Sequence, residues 1–179
     1  MGFFVYISNM KIIGLDSSTS CTGLSMCENG KITFASFLDT SKLNTNKEKC
    51  LYIIEKFKSQ FEIADVINLE AALGAFSFGF TSAKTIVLLA RFNGILEYVI
   101  SEKFPNAKIN LINVNTCRKK IFGKCRIKGI KSKEFVKMQL ELLLPELHTF
   151  DVKNKKGLPD KRNADIYDAI CLALYGINL

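Results

Sequence analysis

The chain has 179 residues, of which 48% are hydrophobic and 23% charged, a composition typical of a single globular domain and too apolar for a disordered chain. Its formal net charge is +8, and no apolar run approaches the roughly 20 residues that cross a bilayer, so a membrane protein is not expected. Six cysteines without a C-x-x-C pair and one histidine argue against a Cys/His zinc site and for a reducing, cytoplasmic location.

The first forty residues predict a meander of strands. Residues 1–9 are apolar but lack the basic start of a signal peptide, so we interpret them as an extension or an added edge strand before a domain at 10–179. MKIIGLD predicts a buried strand, CTGLSMC a second strand and ITFASF a third. Asn29-Gly30 predicts the hairpin turn between the last two, because both residues tolerate positive φ.

The middle of the chain alternates helices and strands. Residues 45–61 predict an amphipathic helix. Its apolar stripe is predicted to consist of Leu51, Ile54, Phe57 and Phe61. VINLE and AKINLINV predict two more strands, and together with the helices this order favours a mixed α/β sheet in one domain.

The helix predicted at residues 85–100 is apolar around most of its surface and should be buried on two sides. It either packs wholly inside one subunit or forms the contact surface of a homodimer. After the fifth strand, KSKEFVKMQLELLL predicts a helix, residues 145–163 a mobile polar loop, and ADIYDAICLALYG a closing helix.

Positive charge is concentrated in residues 118–137, which hold nine Lys or Arg and one acid, whereas the other residues carry sixteen basic and sixteen acidic side chains. Such a basic segment on a neutral body indicates a polyanionic partner, with nucleic acid first and anionic lipid second. A solvated lysine-rich loop is the ordinary alternative. The candidate DNA contacts are Arg118, Lys119, Lys120, Lys124, Arg126, Lys128, Lys131 and Lys133.

Carboxylates stand at the ends of several apolar elements. Asp16 ends the first strand, Glu70 ends the strand VINLE, and Asp165 and Asp168 share one face near the start of the last helix. If the first and fourth strands are adjacent and parallel, Asp16 and Glu70 are neighbours at one sheet edge. A helix packed beside that edge could add the other two.

Four converging carboxylates would repel one another and ionise poorly without cations. Mg²⁺, or Mn²⁺ in its place, suits such hard oxygen ligands. Two ions roughly 3.5–4 Å apart could activate water on one side of a phosphodiester and stabilise the leaving oxygen on the other. Each carboxylate also has an ordinary explanation by itself. Asp165 and Asp168 could complement a helix dipole, and Glu70 could be a solvated strand end.

These residues resemble the RuvC-type Holliday junction resolvases of the ribonuclease H-like superfamily, over about residues 10–176. IIGLD resembles the first-strand motif, NLE the catalytic Glu, and ADIYDAICLAL the closing Asp-x-x-Asp-Ala helix. The resemblance implies an α/β fold with a five-stranded mixed sheet in the order 3-2-1-4-5. It also implies that the metal ligands are Asp16, Glu70, Asp165 and Asp168.

The same resemblance implies a homodimer that nicks four-way junction DNA symmetrically and leaves 5′-phosphate ends. Lys119 and Lys133 fall where the family places lysines near the scissile phosphate. The aromatic residues after Glu70 that could stack on opened bases are Phe76, Phe78 and Phe80, although core packing is the more frequent use of a Phe. Two features depart from the family pattern. Ser17-Ser18 follows the first Asp where bacterial members have Pro-Gly, and the 145–163 loop is long.

Three other functions remain open. DSSTS also resembles the phosphate-gripping loop of sugar and acetate kinases, which need a second domain to close over ATP. A ribonuclease that cuts RNA–DNA hybrids or processes RNA would share the metal chemistry. A non-catalytic nucleic-acid-binding module would share only the basic segment. Metal-dependent cleavage, substrate preference and nucleotide hydrolysis distinguish these possibilities.

Overall fold

The computed structural model describes residues 10–71 and 83–177, built around a five-stranded sheet in the order β3-β2-β1-β4-β5. The strands are β1 (Lys11–Ser17), β2 (Cys21–Glu28), β3 (Lys31–Asp39), β4 (Val66–Glu70) and β5 (Lys108–Ile112). β1 pairs antiparallel with β2 and parallel with β4, while β2–β3 is antiparallel and β4–β5 parallel. The predicted mixed sheet and its strand order are confirmed.

The helices are α1 (Asn46–Lys56), α2 (Lys58–Ile63), α3 (Ala83–Lys103), α4 (Val114–Phe122), α5 (Ser132–Leu143) and α6 (Asn163–Leu174), with a 3₁₀ helix at Leu147–Phe150. Helix α4 was missed in the sequence, although its end signals are present. Asn113 caps its start, because its side-chain oxygen accepts hydrogen bonds from the backbone N–H groups of Asn115 and Thr116, at 2.9 and 3.4 Å. Gly123 ends the helix with a φ of 72°.

The helix predicted at 45–61 is two helices that meet at Phe57, and its buried stripe lacks one predicted residue and includes two that were not predicted. Leu51 is 42% exposed, so its predicted place in the core is wrong. The residues of this segment that are buried are Cys50, Ile53, Ile54, Phe57 and Phe61. This set follows helical spacing from Cys50, and Leu51 lies one position away from it.

Alternation along β1 sends successive side chains to two separate cores. Ile13 and Leu15 pack with side chains of α1, α2 and α3 on one face of the sheet. Ile12 packs with side chains of α4, α5 and α6 on the other face. The sheet is therefore the middle of three layers, and Asp16, two positions after Gly14, follows the alternation to the α6 side.

Helix α6 packs directly on the backbone of β1 and β2 because two glycines leave room for it. A Cβ on Gly14 would lie 2.0 Å from the carbonyl oxygen of Ala169, and one on Gly23 would lie 2.1 Å from that of Asp165. Gly23 is paired with Asp16 across the two strands. The first turn of α6 therefore lies over the carboxyl end of β1.

Residues 151–162, here named the strap, lie in the segment predicted as a mobile loop and form turns and one isolated β-bridge without a regular helix or strand. The Asn163 side chain donates to and accepts from the backbone of Val152, at 3.1 and 3.0 Å. The backbone N–H of Asp160 donates to the Val152 carbonyl at 2.8 Å, and Lys153 and Pro159 form a bridge between the two arms. These bonds satisfy the polar backbone of the segment, which composition alone did not reveal.

Helix α3 buries one face and exposes the other. Phe92, Leu96 and Ile100 are fully buried in the core of their subunit. Val87, Leu88, Ile95 and Tyr98 are exposed by 56%, 44%, 38% and 64%. Packing within one subunit therefore accounts for the buried face of α3, and the second face, which the sequence also predicted to be buried, is exposed in the single subunit.

Within residues 10–71 and 83–177, no helix combines the length and apolar character that a membrane crossing needs. The predicted extension at residues 1–9 lies outside the described residues. So do the three candidate stacking residues, Phe76, Phe78 and Phe80.

Candidate active site

Two adjacent parallel strands end in carboxylates. Leu15 of β1 is paired with Leu69 of β4, and the next residues along the two strands are Asp16 and Glu70. Glu70 is close enough to Asp16 to raise the pKa of the Asp16 carboxyl. The carboxyl ends of the parallel strands thus bring together residues 54 positions apart, as the sequence predicted.

Asp16 lies at the centre of the acidic cluster. Part of its side chain reaches solvent, yet burial by the surrounding protein raises the pKa of Asp16 well above its usual value. The Glu70 carboxyl raises this pKa further, as do the charges of Asp168 and Asp165 on α6. The three other predicted carboxylates therefore all act on Asp16, and its position favours a bound proton or a cation.

A buried ion pair holds Asp168. The Nη2 of Arg118, on α4, lies 2.8 Å from Asp168 Oδ1, and its Nη1 donates to the Ser132 hydroxyl at 2.6 Å. The two charged side chains are only 10% and 13% exposed. Burial raises the pKa of Asp168, and the Arg118 guanidinium limits that rise.

Asp165 has a cation of its own at the rim of the site. Lys133, on the first turn of α5, places its Nζ 3.2 Å from Asp165 Oδ1. Burial lowers the pKa of Lys133, but the Asp165 carboxylate more than offsets this, so the pKa ends above its usual value. Lys133 is still 64% exposed, so its ammonium can also meet a ligand from solvent.

Two neighbours on α4 lie on different sides of the helix, and the burial of Arg118 differs from its predicted place at the surface. Arg118, predicted as a surface DNA contact, is 8% exposed and points into the cluster. Lys119, predicted beside the scissile phosphate, is exposed on the outer side of the helix. The helical spacing of Val114, Cys117 and Ile121 marks the inner face and could have shown that Arg118 lies on it.

The remaining candidate DNA contacts lie at the surface. The exposed members of this set are Lys120, Lys124, Arg126, Lys128 and Lys131. Lys120 donates to the Tyr175 carbonyl at 2.8 Å and lies over the Tyr175 ring, 4.7 Å from its centre. The basic segment is therefore a solvent-facing positive surface next to the acidic cluster.

Hydrogen bonds that the sequence did not predict tie the strand ends to the helices. The buried Ser17 hydroxyl donates to Asn93 Oδ1 of α3 at 2.8 Å, and Asn93 Nδ2 donates to the Glu70 carbonyl at 2.9 Å. On the other side, Asn68 Nδ2 donates to the Leu172 carbonyl of α6 at 2.8 Å. These amides satisfy buried backbone groups and fix the strand ends that carry the carboxylates.

No family model and no curated protein sequence matches the chain. Solved structures do match. Thermus thermophilus RuvC aligns with a TM-score of 0.55 and 14% identity, over 93% of this chain and 94% of RuvC. T. thermophilus RuvC in complex with a Holliday junction substrate aligns with a TM-score of 0.56 and 13% identity, over 93% and 92% of the two chains. The yeast mitochondrial Holliday junction resolvase Ydc2 aligns with a TM-score of 0.61 and 12% identity, over 93% of this chain and 77% of its own.

The fold is the ribonuclease H-like fold of the RuvC-type resolvases. The resemblance predicted from the sequence is thus confirmed for the architecture. Because identity is only 12–14%, the likeness establishes the fold, and the chemistry has to be argued from the side chains at the site.

On this resolvase fold, the donor chemistry of the acidic cluster fits a hard divalent cation. Four carboxylates supply oxygen ligands, and two of them already hold cationic side chains. As these side chains stand, no three His, Cys, Asp or Glu residues of the described part of the chain are arranged to hold a metal ion. Arg118 and Lys133 instead provide the positive charge that the cluster needs.

Proposed function

We propose that the protein is a Mg²⁺-dependent endonuclease that resolves four-way DNA junctions by paired symmetric nicks. The observation that carries this proposal is the convergence of Asp16 and Glu70 with Asp165 and Asp168 at one sheet edge, beside a solvent-facing basic segment. The resolvase fold supports it, since fold neighbours include a RuvC structure with a Holliday junction substrate.

Mg²⁺ or Mn²⁺, when bound, would activate water for attack on the phosphodiester and stabilise the leaving oxygen, giving 5′-phosphate ends. Asp16 and Glu70 would hold the ions from the strands, and Asp165 and Asp168 from α6. We propose two ions per site, because one ion could then activate the attacking water while the other stabilises the leaving oxygen.

The chain's own cations would act on the substrate and on the ligands. Lys133 lies at the rim, 3.2 Å from Asp165, where a phosphate oxygen approaching the cluster would meet its ammonium. Arg118 would act as a positioning residue, since it contacts Asp168 and Ser132 and is too buried to reach DNA. Lys119 and the exposed remainder of the basic segment would contact phosphates further along the junction arms.

We propose that the exposed face of α3 joins two subunits. A four-way junction has approximate two-fold symmetry, and two opposed nicks require two active sites. Val87, Leu88, Ile95 and Tyr98 form an exposed apolar face along about three turns of the helix. Leu88→Glu should change the sedimentation coefficient from that of a dimer to that of a monomer. Leu143→Glu, at an equally exposed position of α5, should not, since the two leucines are 44% and 43% exposed.

The decisive experiment compares cleavage of a four-way junction, an RNA–DNA hybrid and a plain duplex in Mg²⁺ and in EDTA. We expect Mg²⁺-dependent nicks at symmetric positions of the junction and little cleavage of the other two. Preferential cleavage of the hybrid would instead favour a ribonuclease. Metal-independent binding without cleavage would favour a non-catalytic binding module.

A further inference from the structure

A polar groove of about 1020 Å³ runs away from the acidic cluster between the strap and the turn that follows β1. Lys133 and Asp165 of the candidate active site line it, as do Asp39, the last residue of β3, and Ser41 just after it. Its walls also include Ser18, Ser20, Asn154 and Lys161. The groove thus adjoins the candidate active site, with which it shares Lys133 and Asp165.

One arginine pairs with two of the acids that line the groove, Asp39 and Asp160. Arg162 Nη1 lies 2.7 Å from Asp39 Oδ2, and its Nη2 and Nε lie 2.7 and 2.9 Å from the two carboxylate oxygens of Asp160. The guanidinium also stacks on Phe37, with 4.5 Å between Cζ and the ring centre. Because Arg162 pairs with both acids, the wall does not repel a phosphate as two free carboxylates would.

Both walls are held in place before any ligand arrives. In the turn, the Ser18 hydroxyl donates to the Cys21 carbonyl at 2.7 Å and accepts from its N–H at 3.1 Å, and Lys49 of α1 donates to the Thr19 carbonyl. In the strap, Asn154 Oδ1 accepts from the backbone N–H of Lys156 at 2.8 Å. A groove built in advance loses little entropy when a flexible strand enters it.

We propose that this groove holds the sugar–phosphate backbone of the DNA strand to be cleaved, on one side of the scissile phosphate, and that Lys161 contacts a phosphate there. The lining supplies hydroxyls, an amide and an exposed ammonium, which are the groups that bind phosphates and sugars in DNA. The volume is at the upper end of the range for small-ligand pockets and suits a short stretch of one strand. The inference rests on the proposed nuclease function and assigns the strap a role in substrate binding.

The test compares Lys161→Ala with Lys156→Ala. Both lysines are exposed on the strap and both changes remove one charge, but Lys156 does not line the groove. Binding to a fluorescent four-way junction would be followed by anisotropy in EDTA between 50 and 200 mM salt. Loss of one phosphate contact should make the slope of log affinity against log salt concentration shallower by about 0.9. The factor by which affinity falls between 50 and 200 mM salt should therefore be roughly 3.5-fold smaller for Lys161→Ala than for the wild type. Lys156→Ala should keep the wild-type slope.

A second measurement locates the contact. Neutral methylphosphonates would replace single phosphates within three nucleotides of the cut on the cleaved strand. We expect one position at which the replacement weakens binding by the wild type and Lys156→Ala but leaves Lys161→Ala unchanged. That result would place the Lys161 ammonium on one defined phosphate.

The outcomes separate this inference from the proposed function. If the wild type cleaves junctions and the two variants bind them alike, the groove assignment is overturned and the nuclease stands. If Lys161→Ala weakens only an RNA–DNA hybrid, the groove receives RNA and the DNA assignment is overturned. If Lys161→Ala shows the expected slope while the wild type cleaves nothing, the groove assignment is supported and the nuclease fails.

Discussion

Replacing Arg118 with methionine should leave the Asp168 carboxylate buried without its cation. Methionine keeps much of the length and apolar stem of arginine, so the main change is the loss of the guanidinium and of its two hydrogen bonds, at 2.6 and 2.8 Å. Removal of one partner from a buried ion pair costs about 3–5 kcal/mol in the free energy of unfolding. For a domain of this length, each kcal/mol lowers the Tm by about 2–4 °C, so a fall of roughly 6–20 °C is expected.

The pH dependence of this loss has a definite sign. Burial raises the pKa of Asp168, and the variant lacks the arginine that limits the rise. Between the unfolded and folded pKa values the folded state binds more protons than the unfolded state, so stability falls as the pH rises through this window. The loss of unfolding free energy in Arg118→Met relative to the wild type should therefore be complete above the pKa of Asp168 in the folded variant. It should become smaller as the pH is lowered towards about 4.

Urea unfolding in EDTA at a series of pH values measures both effects. The double variant Arg118→Met/Asp168→Asn should regain most of the lost stability, because neither charge is then left alone. Lys119→Met, one residue along the same helix but exposed, should change stability by no more than about 0.5 kcal/mol. A deficit for Arg118→Met below about 1 kcal/mol at neutral pH, or one that does not change with pH, would show that the pair does not hold the site together.

Asp16→Asn should abolish metal-dependent cleavage while junction binding stays equal or becomes tighter, because a negative charge that faces phosphate is lost. Cleavage is measured on gels and binding by anisotropy. Loss of both cleavage and binding in a folded variant would contradict the assignment. The same change should raise the Tm at neutral pH, since burial and neighbouring carboxylates raise the pKa of Asp16. Gly14→Ala should destabilise the fold by at least about 1–3 kcal/mol, because its Cβ would lie 2.0 Å from the Ala169 carbonyl oxygen. Gly94→Ala, in α3 with open space around the added Cβ, should raise the free energy of unfolding by up to about 1 kcal/mol. Equal effects of the two substitutions in urea unfolding would refute the close packing of α6 on the sheet.

The sequence by itself determined the sheet and the positions of its carboxylates. Strand periodicity and the hairpin signal are local properties, and Asp16 and Glu70 stand at strand ends that a parallel sheet brings to one edge. The i and i+3 spacing of Asp165 and Asp168 likewise follows from helix geometry alone. Local periodicity therefore predicted the places of the carboxylates well, although it misplaced Leu51.

Only the tertiary structure decided which cations serve those carboxylates and how the strap closes the groove. The rotation of α4 that turns Arg118 inward and Lys119 outward depends on its packing against α6, and the path of the strap depends on the ion pairs of Arg162 with Asp39, 123 residues away. A run of lysines and arginines looks alike along the sequence, because the charge of a side chain is local. The carboxylate that each basic side chain pairs with is set by contacts between distant segments, and these contacts exist only once the chain has folded.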